Sequence, residues 1–370
     1  MQPLARHDLE PVVNLDILLH IMSYVARDMD LLNMMSTCKT LHSFGLPMFL
    51  SRSFTIREGL SSVIPYVLRD KETRGEMLRQ LAIESFPNDM EPLVEILTSA
   101  HNLRRLTIFE CELFFSFPDL EQAITGFTSI QHLTLAPAGP QTLRALAKIR
   151  SPIAILELSS NREDHLDFLP FIPSFAQTLC QVSGMRFSPD IRLPSSLRYP
   201  NVRYLQLTLS RSSELSTLES MFPNLRTLCI YPLYQMSTAW QQRELPVAEW
   251  LLKDHPSGEV PRQSWGSLAT IEGEVSLISL AKLNRPIRTV LCDMEFHGDE
   301  EYGRDILRTL KPQYFGLRTP HEASLIRHVI SAAYSVTHLC LIAESVWNIA
   351  EIRGFLVGLQ SVSVSHSLTI

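Results

Sequence analysis

One pattern of apolar and polar positions recurs along most of this chain: apolar-x-x-apolar-x-apolar, with the last two apolar positions alternating as a strand does. Copies start at Leu78, Leu103, Ile130, Ile153, Val202, Leu225, Ile287, Val336 and Leu359, and weaker ones at Val182, Leu268 and Pro312. Two copies are almost identical: Pro200-Asn201-Val202-Arg203-Tyr204-Leu205-Gln206-Leu207 and Pro223-Asn224-Leu225-Arg226-Thr227-Leu228-Cys229-Ile230. His101-Asn102-Leu103-Arg104-Arg105-Leu106-Thr107-Ile108 repeats them upstream. Between copies the apolar spacing turns helical, as at Leu93, Ile96 and Leu97; Leu143, Leu146 and Ile149; Leu215, Leu218 and Met221; and Leu325, Val329 and Ile330. Asp119, Asp164 and Ser212 stand where such helices begin, and Pro152, Pro200, Pro223 and Pro286 stand just before strands, where a helix has ended.

The eleven steps from Leu78 to Leu359 average about 25.5 residues, within the roughly 20–29 of a leucine-rich repeat, which the pattern resembles. Two copies reach the Asn/Cys position of the longer consensus, at Asn161 and Cys111. A small polar group there satisfies backbone where the chain leaves the strand. The expected fold class is α/β, a solenoid with a parallel sheet on the concave face and helices on the convex face. An ordinary doubly wound α/β domain has no reason to keep a fixed period. The 43-residue gap between Leu225 and Leu268 breaks the period and holds Trp240, Trp250 and Trp265. It is either a degenerate repeat or an insertion, and its tryptophans are expected to fill core volume.

Residues 12–50 do not follow the repeat. Asn14 can cap a helix whose first turn holds Asp16, and Ile17, Leu18, Ile21, Met22 and Val25 form its apolar stripe. After Asp28 and Asp30 a second apolar helix is expected through Leu31, Leu32, Met34, Met35, Cys38 and Leu41, ended by Gly45 and Pro47. Two such apolar helices bury poorly as a mere end cap, so leftover apolar surface marks a partner site.

These residues resemble an F-box: Val13-Asn14-Leu15-Asp16-Ile17-Leu18-Leu19-His20-Ile21-Met22, then Asp30-Leu31-Leu32, then Thr37-Cys38-Lys39-Thr40-Leu41, with Asn14 where that family usually carries proline. Joined to a leucine-rich array, the combination resembles the divergent F-box/leucine-rich-repeat proteins of fungi. The resemblance implies a substrate-recognition subunit of a Skp-cullin-F-box type ubiquitin ligase, itself without catalysis or cofactor. Its partners would be a Skp-type adaptor, through it cullin and RING subunits, and a protein target. Implied adaptor contacts are Leu15, Ile17, Leu18, Ile21, Met22, Leu31, Leu32 and Lys39. Target contacts are expected on outward strand positions: Arg105, Phe109, His132, Tyr204, Gln206, Thr227, Tyr231 and His338. The expected organisation is a tail (1–11), an F-box-like domain (12–50), connecting helices (51–77), a solenoid (78–364, irregular at 232–267) and a tail (365–370).

Composition narrows the alternatives. At 45% apolar and 19% charged the chain is globular, and its formal charge of −6 gives no basic field for nucleic acid. Only six lysines stand against 27 arginines. No apolar run reaches the roughly 20 residues of a membrane span, and His7, Asp8 and Glu10 are unlike a signal peptide. Six scattered cysteines without Cys-x-x-Cys read as reduced thiols in a cytoplasmic or nuclear protein, with no zinc site. Cys38 is expected buried and inert. Cys292, Asp293, Glu295, His297, Asp299, Glu300 and Glu301 have no usual metal spacing, and 299–301 read as a solvated loop before a helix over Asp305–Leu310. No phosphate-binding glycine loop, Gly-x-Ser-x-Gly or His-Glu-x-x-His motif occurs. Two readings compete with the ligase subunit: a repeat scaffold that recruits no ligase, and a hydrolase on an unfamiliar α/β fold. The last strand motif, Leu359–Val364, stops six residues before the sequence does, and either a truncated product or a poorly paired end is expected there.

Overall fold

A computed structural model describes residues 14–57, 63–87, 89–160, 172–187, 197–209, 216–232, 265–281, 283, 285–293, 299–319, 332 and 334–343. The protein is mixed α/β. Its twelve described strands are ordered as they occur in the chain, and every described pairing is parallel. The chain divides into two compact units, the first formed by 1–133 with 149–151 and the second by 134–148 with 152–370.

The first unit opens with three helices, α1 (Leu15–Tyr24), α2 (Asp28–Thr37) and α3 (Lys39–Leu50). Asn14 caps α1 as expected, its side chain accepting from the Asp16 amide at 2.9 Å. The single second helix read from sequence is in fact two, because Cys38 is extended (φ −156°, ψ 163°) and breaks it. Gly45 and Pro47 do not end α3. Gly45 lets the helices approach closely: a Cβ there would lie 2.5 Å from Met35 Cγ and 2.6 Å from Met22 Cε. Arg52 then ties the α1–α2 turn to the end of α3, donating to the Val25 and Ala26 carbonyls and to Asp28 (2.6 Å).

Next come β1 (Ser53–Ile56), α4 (Val63–Leu68), α5 (Lys71–Met77), β2 (Gln80–Ile83), α6 (Glu91–Ser99), β3 (Arg105–Phe109), α7 (Cys111–Phe114) and α8 (Pro118–Thr125). β1 pairs with β2 and β2 with β3 in unbroken parallel register. Residues 51–77 are therefore more than connecting helices. They contain a strand whose inward Phe54 and Ile56 are buried, and Phe49 of α3 packs edge-on against Phe54, ring centroids 5.1 Å apart. Leu93, Ile96 and Leu97 of α6, and Leu120 and Ile124 of α8, bury the helical stripes. Asp119 lies in the first turn of α8 rather than capping it, since Phe117 is the N-cap residue.

β4 (His132–Ala138) leads into the second unit, which holds α9 (Pro140–Leu146), β5 (Ile155–Ser160), a 3-10 turn at Pro173–Phe175, β6 (Gln181–Phe187), β7 (Tyr204–Leu209), α10 (Ser216–Met221), β8 (Thr227–Pro232), β9 (Thr270–Glu274), α11 (Val275–Leu280), β10 (Thr289–Asp293), α12 (Asp299–Leu310), β11 (Tyr314–Thr319) and β12 (His338–Ala343). From β2 onward each strand starts two residues after the first apolar position of its copy, as with Leu205 and Leu207 after Val202, all fully buried. β6 is the exception. Its copy starts at Leu179, not Val182, and a bulge between Val182 and Met185 shifts the register. β8 bonds β9 directly, Thr227 opposite Thr270, so the strands on either side of the long gap are neighbours in the sheet. Trp265, at its described end, is buried and donates to the Phe222 carbonyl at 3.0 Å, a core role. Asp299–Glu301 begin α12 instead of a loop; acids suit a helix N-terminus. Trp240, Trp250, Asn161, Asp164, Ser212, Leu325, Val329, Ile330 and the Leu359 copy lie outside the described residues.

The recurrent Asn has a structural job. Asn102 donates its amide to the Glu76 carbonyl one repeat back (3.0 Å), Asn201 to Gln177 (2.6 Å) and Asn224 to Pro200 (2.9 Å). Arg203 adds bonds to Pro200 and Asn224. Ser or Thr makes the same kind of stitch elsewhere, as Ser129 to Leu103 and Thr178 to Ile153, each at 2.8 Å. A net hydrogen bond of this type contributes about 1 kcal/mol. The motif that marks the repeat in the sequence thus pins successive turns together.

Candidate functional site

The residues that the sequence singles out lie in the helical module and on the outward positions of the strands of each unit.

In the module, Met22, Leu31, Met35 and Leu41 form a closed core, with Leu18, Leu19, Val25 and Leu32 packed around it. Met22 and Leu31 have no exposed area, so they are not available as adaptor contacts. Three converging helices take them inward, where they hold α1 and α2 in place. Leu18 and Leu32 are half-buried against the same core, while Lys39 is exposed at the start of α3. What remains outside is Ile17 (53% exposed), Ile21 (47%) and Tyr24 (75%) along one stripe of α1, with Leu15 near its first turn. His20 meets Tyr24 edge-on at 5.1 Å between ring centroids. Tyr24 was not among the expected contacts, although it lies at i+7 from Ile17 and so on the same helical stripe. Met29 and Phe44 are also exposed.

On the strands, inward and outward positions alternate as expected. Arg105, Phe109 and His338 are exposed, and His132, Tyr204, Gln206 and Thr227 are half-buried. Tyr231 is not the open contact expected of it: only 6% exposed, it donates its hydroxyl to Glu272 Oε1 at 2.7 Å. Around it, Tyr204 donates to Gln206 at 3.2 Å, and Cys229 Sγ sits 3.5 Å from the Tyr204 hydroxyl and 3.8 Å from Glu272 Oε2. Larger neighbours roof Cys229, so it is buried on an outward position. Glu272 joins residues 41 and 43 positions apart in the chain, and only the weak copy at Leu268 points to it. Further along, Tyr314 stacks on His338 at 4.3 Å, and Asp293 pairs with Arg318 at 3.4 Å. This face mixes both signs of charge with aromatic rings and hydroxyls.

Cys38 is exposed at the α2–α3 break, contrary to the buried position expected for it, and Cys180 is exposed too. Cys111 is buried with Sγ 3.0 Å from the Ile108 carbonyl, where the consensus places it. Burial, then the neighbouring Asp293 carboxylate, pushes the Cys292 thiol well above its ordinary range, and burial raises Cys340. At pH 8 an aromatic disulfide reagent should therefore titrate Cys38 and Cys180 rapidly and Cys340 slowly, sparing Cys111, Cys229 and Cys292 until denaturant is added. Rapid reaction of all six before denaturation would contradict the packing.

Among the described residues no group of three or more His, Cys, Asp or Glu side chains could hold a metal ion, and no helix is long and apolar enough to cross a membrane. No protein-family model matches this chain, and no curated protein is significantly similar to it.

Proposed function

We propose that this chain is the target-recognition subunit of a Skp-cullin-F-box type ubiquitin ligase, acting in the cytoplasm or nucleus. The observation that carries the reading is the stripe Ile17, Ile21 and Tyr24, left on the surface of a module whose core is already closed. A helix that has filled its core and still presents apolar residues at i, i+4 and i+7 suits burial in a partner groove. Leu15 is exposed in the first turn of the same helix, and Lys39 is exposed at the start of α3. The outward strand positions then hold a protein target, whose lysines receive ubiquitin from the other subunits of the ligase. This chain supplies no catalytic group and no cofactor to that transfer.

The scaffold reading has one observation of its own, Asn14 where the F-box family carries proline. Size-exclusion chromatography of the full chain with a purified Skp-type adaptor separates the two. Co-elution as a stoichiometric complex is expected of the ligase subunit. Separate elution at micromolar concentration would leave the scaffold.

A further inference from the structure

We propose that the outward side of β3 in the first unit binds an extended peptide segment that carries an acidic and an apolar side chain four residues apart. This rests on the reading above that the repeats hold a protein target, and it names that target's chemistry.

Arg105, Thr107 and Phe109 occupy successive outward positions of β3, with Leu106 and Ile108 fully buried between them. The Arg105 side chain is exposed and makes no hydrogen bond or ion pair among the described residues, and neither does that of Arg104 beside it. At the other end Phe109 is 39% exposed and Leu113, just beyond on α7, is 48% exposed. The centre is shallow, because Thr107 faces Ala82 of β2 in register and Ala82 faces Thr55 of β1. A cation and an apolar platform thus flank a floor of small side chains.

The spacing limits the ligand. At about 3.3 Å per residue, Arg105 and Phe109 stand about 13 Å apart along the strand. An extended segment lying alongside presents residues i and i+4 on one face at the same distance. A carboxylate suits Arg105, which can grip it with two parallel N–H bonds, and an aliphatic or aromatic side chain suits Phe109 with Leu113. Exposed Glu110 follows Phe109 and repels acid at the apolar end, so a uniformly acidic segment is disfavoured. Glu110 itself is left-handed (φ 59°), a conformation costly for a residue with a Cβ, and this turn carries the chain from Phe109 straight into α7 and leaves Leu113 outward.

Selection of phage-displayed random 12-residue peptides on the immobilised full chain tests this. Enriched peptides should carry Asp or Glu four positions from Leu, Ile, Phe or Trp. A synthetic consensus peptide should bind at least tenfold more weakly to Arg105→Glu and to Phe109→Ala, with circular dichroism unchanged, since both side chains are exposed. Selection on Arg105→Glu should replace the acid by Lys or Arg. Failure to enrich that spacing, or enriched peptides indifferent to both substitutions, would overturn the proposal. Adaptor co-elution is scored on the same preparations. Peptide binding without co-elution counts against the ligase reading alone; co-elution without the peptide motif counts against this inference alone.

Discussion

Alanine at position 184 should destabilise the second unit by about 2–5 kcal/mol. Gly184 sits in the β6 bulge at φ 79°, where a side chain costs about 1–2 kcal/mol by itself. An added Cβ would also land on the Leu158 carbonyl of β5, 2.7 Å from its carbon, and backbone on both sides leaves nothing flexible to yield. Overpacking of that kind costs typically a further 1–3 kcal/mol. Against a total stability of roughly 5–15 kcal/mol, the loss is large. Gly273 of β9 repeats the arrangement at φ 149° against the Ile230 carbonyl, so Gly273→Ala should behave alike. Gly316→Ala is the contrast, because its new Cβ meets mainly the tip of the Leu291 side chain, which can turn away. Urea unfolding of the three variants checks this. Equal midpoints for all three would mean that the strands do not approach as described.

The double substitution Ile17→Asp with Ile21→Asp should abolish adaptor binding and leave the fold intact. Both side chains are about half exposed and lie outside the module's core, so two carboxylates there remain solvated in the free chain. In a partner groove each would forfeit up to about 1.5–3 kcal/mol of apolar burial and would add the cost of desolvating a charge. Losing about 3 kcal/mol or more weakens an interaction over a hundredfold. Leu18 is a poorer target, since it packs on the core and a charge there would confound docking with unfolding. Titration of the adaptor by calorimetry, with the melting temperature of the free variant as control, reads the two effects apart. Wild-type affinity in the variant would exclude α1 from the interface.

The period of the repeat was legible because an apolar residue at its first position, most often Leu or Ile, and two alternating apolar residues after it are what a stacked strand must bury. It failed where other physics intervened. Ser51 stands at the first apolar position of the β1 copy, so that strand was hidden. Gly184 breaks the alternation in β6, and the bulge makes Val182, Met185 and Phe187 imitate a fresh copy, which displaced the start from Leu179. In the helical module the stripe of α1 was plain, but a stripe does not say which of its members face the core. Met22 goes inward where α3 approaches it at Gly45, and Leu31 joins it in the same buried cluster. Likewise, alternation put Tyr231 outward correctly, while its burial depends on Glu272, brought alongside by the pairing of β8 with β9.

Hydrogen–deuterium exchange of the full chain, with and without a purified Skp-type adaptor, tests the proposed docking most directly. The amides of α1 from Leu15 to Tyr24 should slow on adding the adaptor, and those of β7 and β8 should not change. Unchanged exchange throughout α1 at saturating adaptor would contradict the account.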